Sequence, residues 1–191
     1  MGLAVSPQQP QHRPPPDSRQ IGFRVIHDAD AEFLFRVYAG TREHEFQLTI
    51  WTDADKDAFL RRQFDLQDQH YQMAFPNALR RIITQGATDI GRIYLQRQDD
   101  CLRIIEFSLL PQARGRGIGT DILRSLMNEA QGGKVPVLLS VERASPALRL
   151  YLRHGFRPTG QAGYHVALEW HPARAMAERD QLKTASYKVQ S

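Results

Sequence analysis

The stretch LLPQARGRGIGTDILRSL, residues 109–126, constrains this chain more tightly than any other. An apolar run stops at Pro111; Gly115, Gly117 and Gly119 follow with arginines among them; then an apolar pattern of helical period takes over. A strand must pass into a helix through a turn whose backbone curls without Cβ atoms in the way. The start of a helix carries unpaired N–H groups and the positive end of the helix dipole, which makes it a ready site for an anion. Arg114 and Arg116 add charge that a phosphate can use. The stretch reads as a pyrophosphate cradle, with a tight strand-to-helix turn that holds nothing as the alternative. Two familiar cradles are excluded. A P-loop needs GxxxxGK[ST], and no lysine precedes Thr120. A dinucleotide fingerprint needs GxGxxG early in a βαβ unit, whereas GxGxG lies late in this chain.

The flanking patterns predict a mixed α/β sheet. IGFRVIH (21–27) alternates as a strand, and DADAEFLFRVYAG (28–40) has helical spacing that Gly40 closes. Residues 52–71 predict a second helix, capped by Thr52, with Asp53, Asp55 and Asp57 near the positive end of its dipole and Phe59, Phe64 and Tyr71 on one face. ALRRIIT (78–84), DIGRIYLQR (89–97) and CLRIIEFSLL (101–110) read as three strands joined by turns. Residues 118–130 carry an apolar helical stripe ended by Gly132 and Gly133, and VPVLLSV (135–141) is a buried-strand pattern. SPALRLYLRHG (145–155) predicts a short helix with Ser145 at its cap, Pro146 at its first position and Gly155 past its end. FRPTG and YHVALEW read as the last two strands. The order is β-α-α-β-β-β-α-β-α-β-β: six to seven strands flanked by about four helices, in one domain over residues 21–170.

Composition narrows what the domain can serve. No apolar run approaches the ~20 residues that cross a bilayer, so no membrane is expected as a partner. The Pro- and Gln-rich segment 1–20 shows no signal-peptide pattern and reads as a disordered lead-in; residues 171–191 read as a polar tail. Cys101 is the one cysteine, which excludes an intrachain disulfide, and no Cys/His cluster has metal-binding spacing. A reducing cytoplasm fits, with Cys101 as a structural residue at a strand start. The net charge of +4 comes without a dense basic run, so nucleic acid is not an expected partner.

Arg114-x-x-Gly117-x-Gly119 matches the [RQ]xxGx[GA] motif of the GCN5-related N-acetyltransferases (GNAT superfamily). The segment IIEFSLLPQARGRGIGTDIL resembles that family's strand, turn and helix for acetyl-CoA. VPVLLSVERASPALRLYLRHGF resembles the downstream strand and helix, ending in Y-x-x-x-G-F at Tyr151, Gly155 and Phe156. The resemblance covers roughly residues 21–170 and the element order. It implies that the backbone near Leu109 and Leu110 meets the pantetheine arm and the developing oxyanion. It also implies that the N–H groups of Arg114, Gly115, Arg116, Gly117, Ile118 and Gly119, with the Thr120 hydroxyl, meet the pyrophosphate. Tyr151 falls where the family often places the thiolate's proton donor. Glu106 and Glu142 are the candidate bases, with His154 and His165 peripheral. Ser145 stands where the family often has Asn; it caps a helix but reaches less far.

Acceptor recognition is expected from residues 38–76, where Tyr38, Phe64 and Tyr71 are either core or an aromatic wall, and from TGQAG (159–163). The expected activity is transfer of an acetyl group from acetyl-CoA to a primary amine, with a small-molecule acceptor favoured. The alternatives are a protein amine or a catalytically silent CoA-binding module. A homodimer is compatible with this reading.

Overall fold

The computed structural model describes residues 20–42 and 51–172. The expected lead-in, most of the tail and residues 43–50 of the acceptor segment lie outside the described residues. The strands are β1 (Ile21–Val25), β2 (Leu79–Gln85), β3 (Thr88–Arg97), β4 (Leu102–Leu109), β5 (Val137–Glu142), β6 (Arg157–Ala162) and β7 (His165–Trp170). The helices are α1 (Ala31–Arg42), α2 (Asp53–Ala74), α3 (Ile118–Gly133) and α4 (Ala147–Arg153), with short 3-10 turns at Asp28–Asp30 and Pro111–Ala113. The element order matches the expectation from the sequence.

One seven-stranded sheet has the order β1-β2-β3-β4-β5-β7-β6. Every neighbouring pair is antiparallel except β4 and β5, which run parallel and pair only over Leu102–Ile104 with Val137–Leu139. A bulge follows at once: on β3, Leu95 faces Ile104 and Tyr94 faces Glu106, leaving Ile105 as the extra residue. A bulge bends and twists its strand, so β4 turns away from β5 where their pairing stops. The bulge also exchanges the faces of β4. Leu102 and Ile104 lie in the core beneath α3, and beyond the bulge that core takes Phe107 and Leu109. Glu106 and Ser108 therefore point to the α1/α2 side.

The larger core joins the central strands to Ile118, Ile122, Leu123 and Leu126 of α3 and to Tyr151 of α4. On the other face Phe33, Leu34 and Val37 of α1 pack on Ile82. Thr52 caps α2 as expected, accepting the Asp55 N–H at 3.2 Å, and Gly155 takes the left-handed conformation past α4. Gly40 does not end α1, which runs on to Arg42. A Cβ there would lie 3.1 Å from Pro111 Cδ, so this glycine lets the helix approach the turn after β4. Gly132 and Gly133 lie inside the last turn of α3, and left-handed Lys134 closes it. Phe59 is on the outer face of α2, against Trp51, while Phe64 packs inward.

The position of α1 is tied to the sheet through Arg24 on β1. Its guanidinium donates to Asp89 on β3 and, at 2.7 and 2.8 Å, to both oxygens of Asp30 at the entry to α1. Those donors and the His27 N–H pull the Asp30 carboxyl down to about 2. A depressed carboxylate stabilises the fold above its unfolded pKa and loses that contribution as pH falls through its folded one. Asp30→Asn is expected to lower stability by about 1–2 kcal/mol at pH 7. The difference should shrink between pH 4 and pH 2 in urea titrations at stepped pH.

Candidate active site

Where β4 and β5 part, two adjoining cavities open between them. The first, about 570 Å³, is lined by Glu106, Ser108, Tyr71, Arg92, Glu142 and His165 among others. The second, about 430 Å³, is lined by Leu109, Arg114, Gly115, Gly117, Gly119 and Thr120 on one side and by Pro146, Leu150 and Arg153 on the other. Tyr151, Ser108 and Ser145 border both.

The glycine stretch forms the open end of the second cavity. Gly115 and Gly117 have φ of +70° and +84°, a region that side chains rarely adopt. A Cβ at either would meet nothing within 4 Å, so it is the backbone conformation, rather than crowding, that calls for glycine. Gly117 is the N-cap of α3, which leaves the N–H groups of Ile118, Gly119 and Thr120 without partners inside the helix. The Ile118 side chain is buried beneath them and anchors the turn. Two members of the expected set are employed elsewhere, and a third stands outside the cavities. The Arg114 N–H donates to the Pro111 carbonyl, and its side chain donates to the carbonyls of Leu109 and Gly40 at 2.8 and 3.0 Å. Arg114 thus braces the turn against α1 as a structural strut. Arg116 is exposed and lines neither cavity. The Leu110 N–H donates to the Ile90 carbonyl at 2.8 Å, and its side chain packs on the α1 cluster, so it cannot meet an oxyanion. In an antiparallel ladder N–H groups alternate in direction, which turns the Leu109 N–H toward the cleft.

The first cavity gathers the titratable groups. Glu106 accepts hydrogen bonds from the Tyr71 hydroxyl at 3.2 Å and from the Ser108 hydroxyl, and Arg92 Nη2 lies 3.3 Å from it. Tyr151, 5% exposed, stands edge-on to Phe156 and has its phenol pushed above the usual tyrosine range by burial and then by the charge of Glu106. Tyr71 is pushed up by the same two causes, with Arg92 opposing. Glu142 lines the cavity with Glu106, but it is paired to Arg42 at 2.8 Å, with His165 3.9 Å away. The Ser145 hydroxyl accepts the Ala147 N–H at 3.3 Å, but α4 starts one residue later than expected, with Pro146 rather than Ser145 at its N-cap. His154 lies outside both cavities, its ring nitrogen 2.9 Å from the Leu150 carbonyl.

Residues 80–158 match the acetyltransferase (GNAT) domain family. That stretch of the chain is a GNAT-type acetyltransferase domain. Its fold is similar to that of the PaiA N-acetyltransferase from Thermoplasma acidophilum, solved in complex with coenzyme A (18% identity, TM-score 0.58, covering 80% of this chain and 99% of that one). It is also similar to an acetyltransferase from Thermus thermophilus (14% identity, TM-score 0.57, 81% and 99% covered). A third likeness is to Ard1 from Thermoplasma volcanium (16% identity, TM-score 0.52, 80% and 97% covered). No curated protein matches by sequence. GNAT enzymes use acetyl-CoA as their acetyl donor, and the seven-stranded sheet with four helices is the arrangement shared with these neighbours. Among the described residues no helix is long and apolar enough to cross a membrane, and no His/Cys/Asp/Glu group could hold a metal ion.

Parts of the expected acceptor region of this GNAT domain are reassigned. Tyr38 and Phe64 pack on each other and on Leu60 as core, while Tyr71 alone of the three aromatics lines the cleft. Thr159–Ala162 lie in β6, and none of 159–163 lines either cavity. Cys101 is buried and donates to the Gln98 side chain, a structural residue as expected. Arg92 is a site residue that the sequence does not single out; it sits on a strand where alternation alone gives a surface residue. Because Tyr71 and Tyr151 stay protonated in the folded state above pH 10, unfolding there releases protons and stability falls as pH rises. Thermal midpoints measured from pH 8 to pH 11 should drop above ~10, and less steeply in Tyr151→Phe than in the wild type.

Proposed function

We propose that this GNAT domain transfers the acetyl group of acetyl-CoA to a primary amine by direct attack in a ternary complex, with a small molecule as acceptor. The observation that carries this reading is the parting of β4 and β5. It leaves one continuous cleft with backbone donors at one end, Glu106 on the α1/α2 side and Tyr151 between the two cavities. The pantetheine arm would run along the cleft-facing edge of β4 near Leu109, whose carbonyl already accepts from Arg114, as a peptide adds to a sheet. The pyrophosphate would sit on the N–H groups from Gly115 to Gly119, with the Thr120 hydroxyl beside them. Ser145 and Ala147 would flank it at the start of α4.

The chemistry follows from the two side chains. Glu106, directly or through a water, takes a proton as the amine nitrogen bonds to the thioester carbonyl carbon. The Leu109 N–H meets the oxygen as it gains charge. When the C–S bond breaks, the electron pair leaves with sulfur and Tyr151 supplies a proton. The phenol is protonated at neutral pH, as any tyrosine is, so it is available as a donor. Holding amine and thioester together supplies much of the remaining acceleration. Glu142, closed off by Arg42, serves better at the cavity mouth than as the base. The size of the first cavity, and the polar groups that line it, favour a small polar amine; a protein amine would have to enter by a single extended side chain.

Calorimetry of acetyl-CoA binding tests the cradle. Gly117→Glu places a negative charge where the pyrophosphate should lie, and Gly117→Asn keeps the left-handed backbone without the charge. Backbone bonds to a charged group are worth roughly 1.5–3 kcal/mol each, so Gly117→Glu should weaken binding roughly 10- to 100-fold or more, and Gly117→Asn far less. No binding by folded wild type would overturn the reading. In thiol-release assays with alkylamines, diamines, amino-acid amides and aminoglycosides, Tyr151→Phe and Glu106→Gln should each lower kcat roughly 10²–10³-fold, with acetyl-CoA affinity kept. Wild-type rates in both variants would favour a silent binding module.

A further inference from the structure

Arg92 is the largest fully buried side chain of the described residues, 1% exposed on the central strand β3. Its guanidinium is held on every side. The rings of Tyr94, Phe64 and Tyr38 lie 5.5, 5.6 and 6.0 Å from it. Nη2 donates to Gln67 of α2 at 2.8 Å and lies 3.3 Å from Glu106 of β4. Nε has no hydrogen-bond partner among the described residues. A cation this deep is not a source of stability in itself: removing two charges from water costs several kcal/mol per ion, and apolar residues of the same volume often do as well. An arginine placed there at that cost, with one N–H left unsatisfied, calls for another reason.

The reason lies in what it touches. Ser108 is the cross-strand neighbour of Arg92, and Tyr94 is that of Glu106. The β4 bulge has turned Glu106 toward the cleft, and Tyr71 and Ser108 hold its carboxylate by single hydroxyls that can rotate. Of the three side chains around that carboxylate, Arg92 is the one that carries charge and is locked by packing. We propose that Arg92 is a positioning residue for the reaction, fixing the orientation of the Glu106 carboxylate toward the amine and balancing its charge, without contacting substrate. Through Gln67 it also ties that carboxylate to α2, the helix that lines the acceptor side. This inference rests on Glu106 as the base.

The test uses the full chain with acetyl-CoA and the same set of primary amines, reading thiol release. Three variants are compared with wild type: Arg92→Lys, Glu106→Gln and the double Arg92→Met/Glu106→Gln. The double variant leaves no lone buried charge, whereas Arg92→Met or Glu106→Gln alone strands its partner and loses stability; circular dichroism melts of every variant check that each is folded at the assay temperature. Arg92→Lys should lower kcat roughly tenfold, with KM for acetyl-CoA and its calorimetric affinity unchanged, since a lysine keeps charge but not the fork geometry. The double variant should match Glu106→Gln in kcat to within about twofold, because groups that act as one unit are not additive. Wild-type kcat in Arg92→Lys, or a further loss of roughly tenfold in the double variant with affinity retained, would overturn the inference while leaving Glu106 as base. Wild-type kcat in Glu106→Gln, or no release by a wild type that binds acetyl-CoA, would instead overturn the base assignment, and this inference with it.

Discussion

Three residues of parallel pairing, then separation, is the constraint on which the rest of the molecule depends. Beyond Ile104 and Leu139 the facing edges of β4 and β5 no longer bond each other. Backbone N–H and C=O groups must find partners, so an opening in the middle of a sheet lasts only where water or a ligand can enter. The bulge at Ile105 makes the opening permanent by bending β4. The same bulge decides which side chains face which layer, so the cleft and its carboxylate have a single origin.

The two ends of the cleft rely on different chemistry. At the α3 end the donors are backbone N–H groups, shaped by left-handed glycines and held rigid by Arg114, which ties the turn to the end of α1. At the other end the groups are side chains drawn from α2, β3, β4, β5 and β7. Under the proposed function, a backbone cradle would recognise a feature common to every molecule of the donor class. A side-chain pocket can vary without disturbing the fold, and this is where one acetyltransferase would differ from another. Tyr151 stands where the two meet.

Much of the first end is legible in the sequence and little of the second. Gly115, Gly117 and Gly119 announce a turn because glycine's backbone freedom is a local property, and the Thr52 cap and Gly155 are legible for the same reason. Gly40 misleads because it is placed for a close approach to Pro111, a residue far away in sequence. Glu106 stands out as a candidate, but simple alternation along β4 puts it on the same face as Ile104, in the α3 core. Arg92 escapes notice because a charged residue in an alternating strand usually faces solvent; α1 and α2 together cover that face.

The sequence by itself determined the order of elements, the strand-turn-helix that opens α3, and the resemblance that named the superfamily. All of these rest on interactions between residues close along the chain: dihedral preference, capping and hydrophobic period. Tertiary structure alone decided which cleft groups are engaged and which remain open. It spent Arg114 on two carbonyls, the Leu110 N–H on β3 and Glu142 on Arg42, and it brought Arg92, Tyr71 and Ser108 around Glu106. Those choices depend on one bulge and on two helices packing over one face, and neither leaves a local signal in the chain.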